Sequence, residues 1–232
     1  MTVTNIYANH FGLPVRAAYE TWANKRGGAG NYALNVWDYV GFQMNACGGP
    51  EEDCWTSLYR GLLLFDTSAL SGNFVKAAKI YLYGAAKQDT LEVTPTIACV
   101  FVNTTRTSDI TDAVAGDYQL AGNAVYTSLQ DYAGMVINGW NTFTLNATGL
   151  AALQAAINTG VTFKTATKEA HYDVGGPHPP HIGSQGASMF YYAYTDHRAN
   201  FEVTYTNKKP TAFAGDIHID QLKYRHTDRL EV

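Results

Sequence analysis

Tyr59-Arg60-Gly61-Leu62-Leu63-Leu64-Phe65-Asp66-Thr67-Ser68-Ala69-Leu70, followed by Ala77-Ala78-Lys79-Ile80-Tyr81-Leu82-Tyr83-Gly84, decides the fold class of this chain. Both runs are rich in strand-forming apolar and aromatic residues, and Ser71-Gly72-Asn73 between them is a turn signal. The first run is apolar almost throughout, which predicts a strand covered on both faces. The second alternates, with Ile80 and Leu82 on one face and Lys79, Tyr81 and Tyr83 on the other, as a half-buried strand does.

Outward from this pair the same pattern recurs in short pieces. Residues 2–7, 91–102 (with Pro95 near the start), 141–145, 161–166, 189–194 and 200–206 read as strands, roughly eight to ten in all. One helix is predicted, with Thr148 as its cap, Leu150, Leu153 and Ile157 at helical spacing and Gly160 as its stop. No βαβ alternation appears. The pattern predicts an all-β, antiparallel sandwich of jelly-roll type spanning residues 1–206. Residues 207–232 change character after Lys208-Lys209-Pro210 and read as an extension, a docking strand in which Phe213, Ile217, Ile219, Leu222 and Tyr224 are the assembly anchors.

Composition agrees and excludes several functions. Of 232 residues only 16% are charged, against 21 glycines and 16 tyrosines, a mix suited to strands and turns. A net charge of −4 with no basic cluster argues against nucleic acid as a partner. The start, Met1 to Tyr7, has neither a basic leader nor an apolar core, so no secretory signal is expected, and no stretch approaches the roughly 18 apolar residues of a membrane span.

Each candidate site has a plainer role beside it. Cys47 and Cys54 bracket a turn-rich loop that can bring them together as a disulfide; the redox compartment decides between that and two thiols. Cys99, in an apolar run, reads as a small buried hydrophobe. Asp66 can ligate a structural calcium or, more simply, close a turn. His171, His178, His181 and Asp173 lie in a loop rich in Gly and Pro, without metal-ligand spacing, and Glu51, Glu52 and Asp53 adjoin one another rather than facing across a bond as glycosidase acids do. Gly27-Gly28-Ala29-Gly30 lacks the lysine of a phosphate loop and reads as a turn needing glycine angles. Neither catalytic residues nor a metal or other cofactor is expected. Tyr191, Tyr192 and Tyr194, with Tyr81 and Tyr83, are the candidates for an aromatic sugar platform.

The central stretch resembles the DNRLRE-type β-sandwich domains, which are related to carbohydrate-binding modules. The resemblance rests on Arg60, the run Leu62 to Phe65 ending in Asp66, Thr67 to Leu70, and Ala78-Lys79-Ile80-Tyr81-Leu82-Tyr83. It extends to Thr21-Trp22, Trp140-Asn141-Thr142-Phe143, Asn146 to Leu150, Tyr172-Asp173-Val174 and Phe201 to Tyr205. It implies a display or adhesion module of phage and bacterial surface assemblies rather than a catalyst. The expected function is therefore a non-enzymatic structural protein of a phage virion, a capsid decoration or tail component. It would assemble in the producing cell's cytoplasm and function on the virion or extracellular surface. Its partners would be copies of itself or a neighbouring virion protein. The alternative is a carbohydrate-binding adhesion module that recognises a cell-surface glycan.

Overall fold

The computed structural model describes residues 1–207 apart from 36–37, 50–52, 95, 181–182 and 194. Pro95, Glu51, Glu52, His181, Tyr194 and the five anchors of the extension, Phe213, Ile217, Ile219, Leu222 and Tyr224, lie outside the described residues.

Two long strands organise the molecule. Strand β1 (Thr2–Glu20) pairs with β12 (Asn200–Thr206) through residues 2–7 and with β4 (Trp55–Phe65) through residues 8–20. Strand β4 in turn pairs with β3 (Tyr39–Ala46) through residues 55–60 and with β10 (Phe163–Glu169) through residues 61–65. Each therefore serves two sheets. The front sheet runs β4–β3–β11–β5–β12–β1, where β5 is Phe74–Asp89 and β11 is Gly186–Tyr192, with β9 (Trp140–Thr144) against β5 and β2 (Tyr32–Leu34) against β1. The back sheet runs β1–β4–β10–β6, with β6 at Ala98–Thr104 flanked by β7 (Ala121–Val125) and β8 (Gln130–Asp131). Every pairing of these strands is antiparallel, and the fold is the expected β-sandwich.

Aromatic rings from the two sheets interdigitate to form the core. Phe201 of β12 meets Phe65 of β4 and Phe163 of β10 at ring separations of 4.9 and 5.3 Å. Phe143 of β9 meets Phe101 of β6 edge-on at 4.9 Å and Tyr191 of β11 at 5.6 Å. Such stacked, tilted and edge contacts add to the area term that dominates burial.

The apolar run of β4 has a direct cause. Leu63 and Phe65 enter the main core, while Leu62 and Leu64 pack on the opposite face against Ala113 and the partly buried Ala33. Both faces are covered. In β5, Ile80 and Leu82 are buried and Lys79, Tyr81 and Tyr83 stand on the outer face, as the alternation predicted.

Helices depart from the expectation of one. Among the described residues there are three α-helices, α1 (Trp22–Gly27), α2 (Asp117–Leu120) and α3 (Ala147–Thr159), besides a π-helical turn at Ala170–Val174 and two short 3-10 turns. The first was hidden because only six residues carry it, too few for a periodicity, although Thr21 caps it through its hydroxyl. Helix α3 starts two residues before the expected cap: Asn146, not Thr148, accepts the Gly149 N–H at 2.9 Å. Gly160 ends it at φ 67°, the left-handed region that favours glycine. The glycines after α1 correct a second expectation. Gly28 has an ordinary φ of −82°, and a Cβ there would collide with the Arg16 guanidinium. Space, not backbone angle, selects glycine.

Candidate functional site: the aromatic outer face of the front sheet

Register places the outward side chains of the front sheet in rows. One row reads Tyr39–Tyr192–Tyr83–Trp140 across β3, β11, β5 and β9. The next reads Tyr7–Asn200–Tyr81–Thr142, and the third Asn5–Glu202–Lys79–Thr144. Strand alternation alone turns these side chains away from the core, because their neighbours Phe201, Ile80, Leu82 and Phe143 point into it.

The first row is continuous. Ring separations are 5.1 Å for Tyr39–Tyr192, 6.2 Å for Tyr192–Tyr83 and 5.5 Å for Tyr83–Trp140. His197 stacks on Tyr83 at 3.7 Å and lies 5.6 Å from Tyr192, which holds the tyrosines in place. The Tyr83 hydroxyl donates to the Asn138 carbonyl at 2.7 Å. The hydrogen bond with Tyr192 raises the Tyr39 phenol above its ordinary pKa. Trp140 ends the row with half its surface exposed, at 49%.

Below Trp140 the sheet forms a groove of about 330 Å³ lined by Asn5, Tyr81, Trp140, Asn200 and Glu202. The Tyr81 hydroxyl donates to Glu202 Oε1 at 3.4 Å. Asn200 Oδ1 is buried and has no hydrogen-bond partner. A buried acceptor left unmatched costs about 1–3 kcal/mol, so it calls for a donor. An indole and a phenol beside an orphan acceptor and a carboxylate can hold a group with one apolar face and several hydroxyls. Among the described residues, Glu202 is the one acidic side chain lining the groove. The groove thus lacks the facing carboxyl pair of glycoside hydrolysis.

The tyrosines read as one platform do not share one face. Tyr192, Tyr81 and Tyr83 stand on this face, but Tyr191 does not: it is fully buried between the sheets against Phe143. Adjacent residues of a strand face opposite ways, so Tyr191 and Tyr192 cannot share a platform. Trp140, Asn200 and Glu202 were missed as site residues. The signal existed in the alternation of Asn200 to Thr206, whose polar face lines the groove.

The remaining candidates take structural places. Cys47 and Cys54 are joined as a disulfide, with Cα atoms 5.3 Å apart. Cys99 is buried, which pushes its thiol pKa far up. Asp66 accepts the Ser68 N–H at 2.9 Å, a turn contact that lowers its carboxyl pKa. His178 Nε2 lies 2.8 Å from Asp53 Oδ1, and the Asp53 carboxylate also accepts the Trp22 N–H at 2.7 Å. Among the described residues no three His, Cys, Asp or Glu side chains gather as a metal would require.

No protein-family model matches the chain, and no curated protein matches it either.

Proposed function

We propose that the protein is a non-catalytic glycan-binding module that holds a sugar in the groove beneath Trp140. The observation that carries this reading is the orphan acceptor Asn200 Oδ1 beside the exposed indole. A pyranose stacked on Trp140 and Tyr81 would bring ring hydroxyls to Asn200, Glu202 and Asn5, and a hydroxyl donor would relieve the unmatched oxygen. The tyrosine row from Tyr83 to Tyr39 extends the platform for further sugar units.

The test is a glycan array with the wild type, followed by titration calorimetry on the best ligand. Trp140→Ala is expected to weaken binding by at least about tenfold, equivalent to about 1.4 kcal/mol, with the fold unchanged because the indole is half exposed. Equal binding by both proteins would sink the groove as the site.

Display on a particle, a phage virion, is the setting we propose for this module, with the extension as its attachment. Phe74 and Thr206 pair at the end where the extension begins, nine residues from Tyr83 in the aromatic row. At about 3.3 Å per residue that is roughly 30 Å, so the row is clear of the attachment, whereas Glu202 of the groove stands four residues, about 13 Å, from Thr206.

A further inference from the structure

A second pocket, which shares no lining residue with the groove, has a different chemistry. It measures about 340 Å³ and opens between α1, α2 and β7. Its polar lining is Arg26 of α1, Arg60 of β4, Gln119 of α2, Asn123 of β7 and Lys168 of β10. Arg60 and Lys168 are each 2% exposed.

One carboxylate answers all three cations. Asp173, fully buried, takes two hydrogen bonds from Arg60 at 2.8 and 2.6 Å, lies 3.3 Å from Lys168 Nζ and 3.8 Å from Arg26 Nε. Arg60 also donates to the Tyr118 and Arg26 carbonyls and sits 4.1 Å over the Tyr118 ring. Lys168 reaches Asn123 Oδ1 at 2.8 Å. The neighbouring carboxylate, Glu169, does not help: it is bound to the backbone N–H groups of Ala98, His171, Tyr172 and Asp173. Three cations against one carboxylate leave two positive charges in excess at the pocket wall.

Burying a charge is costly even when it shares a partner with two others, and Lys168 shares Asp173 with Arg60 and Arg26. Burial beside Arg60 and Arg26, against the pull of Asp173, lowers the Lys168 ammonium to about 8. A purely structural ion pair would need Arg60 and Asp173 alone.

We infer that this pocket binds an oxyanion, a phosphate, sulfate or carboxylate group, held by Arg26 and Lys168 with the amides of Gln119 and Asn123 at the rim. An incoming anion completes the charge balance that Asp173 leaves unfinished, and the Arg60–Asp173 pair serves as the rigid floor. The anion is either a free ion or a substituent of a larger ligand, and the two have separate readouts.

The experiment follows thermal unfolding of the full chain with inorganic phosphate, sulfate, acetate and chloride at matched ionic strength. Saturable stabilisation by one of the first three over chloride is expected, because a ligand of the folded state alone raises its stability with concentration. Asn123→Asp puts a carboxylate beside Lys168 at an exposed rim position, so the chain still folds, and it should weaken the oxyanion by at least about tenfold. Lys168→Met should abolish the effect. Competition by the inorganic ion against an anionic glycan would identify a substituent of a larger ligand, while saturation by the ion alone would identify a free ion. Equal effects of all four salts, or full retention of binding in Asn123→Asp, would overturn the assignment.

Discussion

Glu169 shows how one side chain sets a site without touching it. It closes β10 and gathers four backbone N–H groups, three of them from the turn at Ala170–Val174. That grip delivers Asp173, four residues on, to Arg60. Burial pushes the Glu169 carboxyl up to about 7 from 4.5, although the N–H donors pull the other way. The sign of the consequence follows directly. Between those two values the folded chain holds a proton that the unfolded chain has released, so this contribution is full below about 4.5 and fades as pH rises through about 7. Lys168 acts only from about 8 upward and with the opposite sign. Denaturant unfolding should therefore show a Glu169-dependent loss of stability between about pH 4.5 and pH 7. Glu169→Gln should flatten that slope, and an unchanged slope would mean that Glu169 stays ionised throughout. Of this network, Arg60 was readable beforehand only as a fragment of a family resemblance, and Asp173 as such a fragment and as a member of the histidine-rich loop. Their meeting, 113 residues apart in sequence, was not.

At the scale of elements, local signals worked where several agreed. Helix α3 combined apolar spacing with a terminal glycine and was anticipated, with its start misplaced by two residues. Either Asn146 or Thr148 suits a cap by residue type; the choice falls to Asn146 because its side chain also donates to the Val125 carbonyl at 2.9 Å. Asn146→Ala should cost about 1 kcal/mol or slightly more, read by denaturant unfolding. Thr148→Ala should cost clearly less, and the reverse order would contradict the observed cap. Strand β1 was harder. Residues 8–20 mix glycine, proline, asparagine and charged residues, so no period stands out there, whereas 39–46 do alternate, with Val40, Phe42, Met44 and Ala46 turned inward, a strand signal that the reading of the sequence passed over. Where β3 gives way to β10 along the edge of β4, the Thr167 hydroxyl accepts the Gly41 N–H at 3.1 Å and donates to the Gly41 carbonyl at 2.8 Å. A Cβ on Gly61 would occupy the same space.

For the whole molecule, the proposed reading gives the sandwich and its extension separate roles. The aromatic row and groove belong to the front sheet, the cationic pocket to the junction of α1, α2 and the back sheet, and the proposed attachment to residues 207–232. Removing everything after Thr206 should leave a folded, monomeric sandwich that still binds its glycan, while the full chain forms a defined oligomer. Solution mass of the two forms, compared with their glycan affinity, checks this. Identical masses would exclude self-assembly through the extension, and loss of glycan binding on truncation would refute the separation of the two roles. By itself the sequence determined the fold class, because alternation, turn residues and a doubly covered apolar strand are local consequences of a two-layer core. It also determined that Tyr81 and Tyr83 face away from that core. Only the tertiary structure decided which aromatics share a surface, that Tyr191 is buried and Trp140 exposed, and that three cations converge on Asp173. Those facts depend on strand order and register, which arise from long-range pairing and leave no period in the chain.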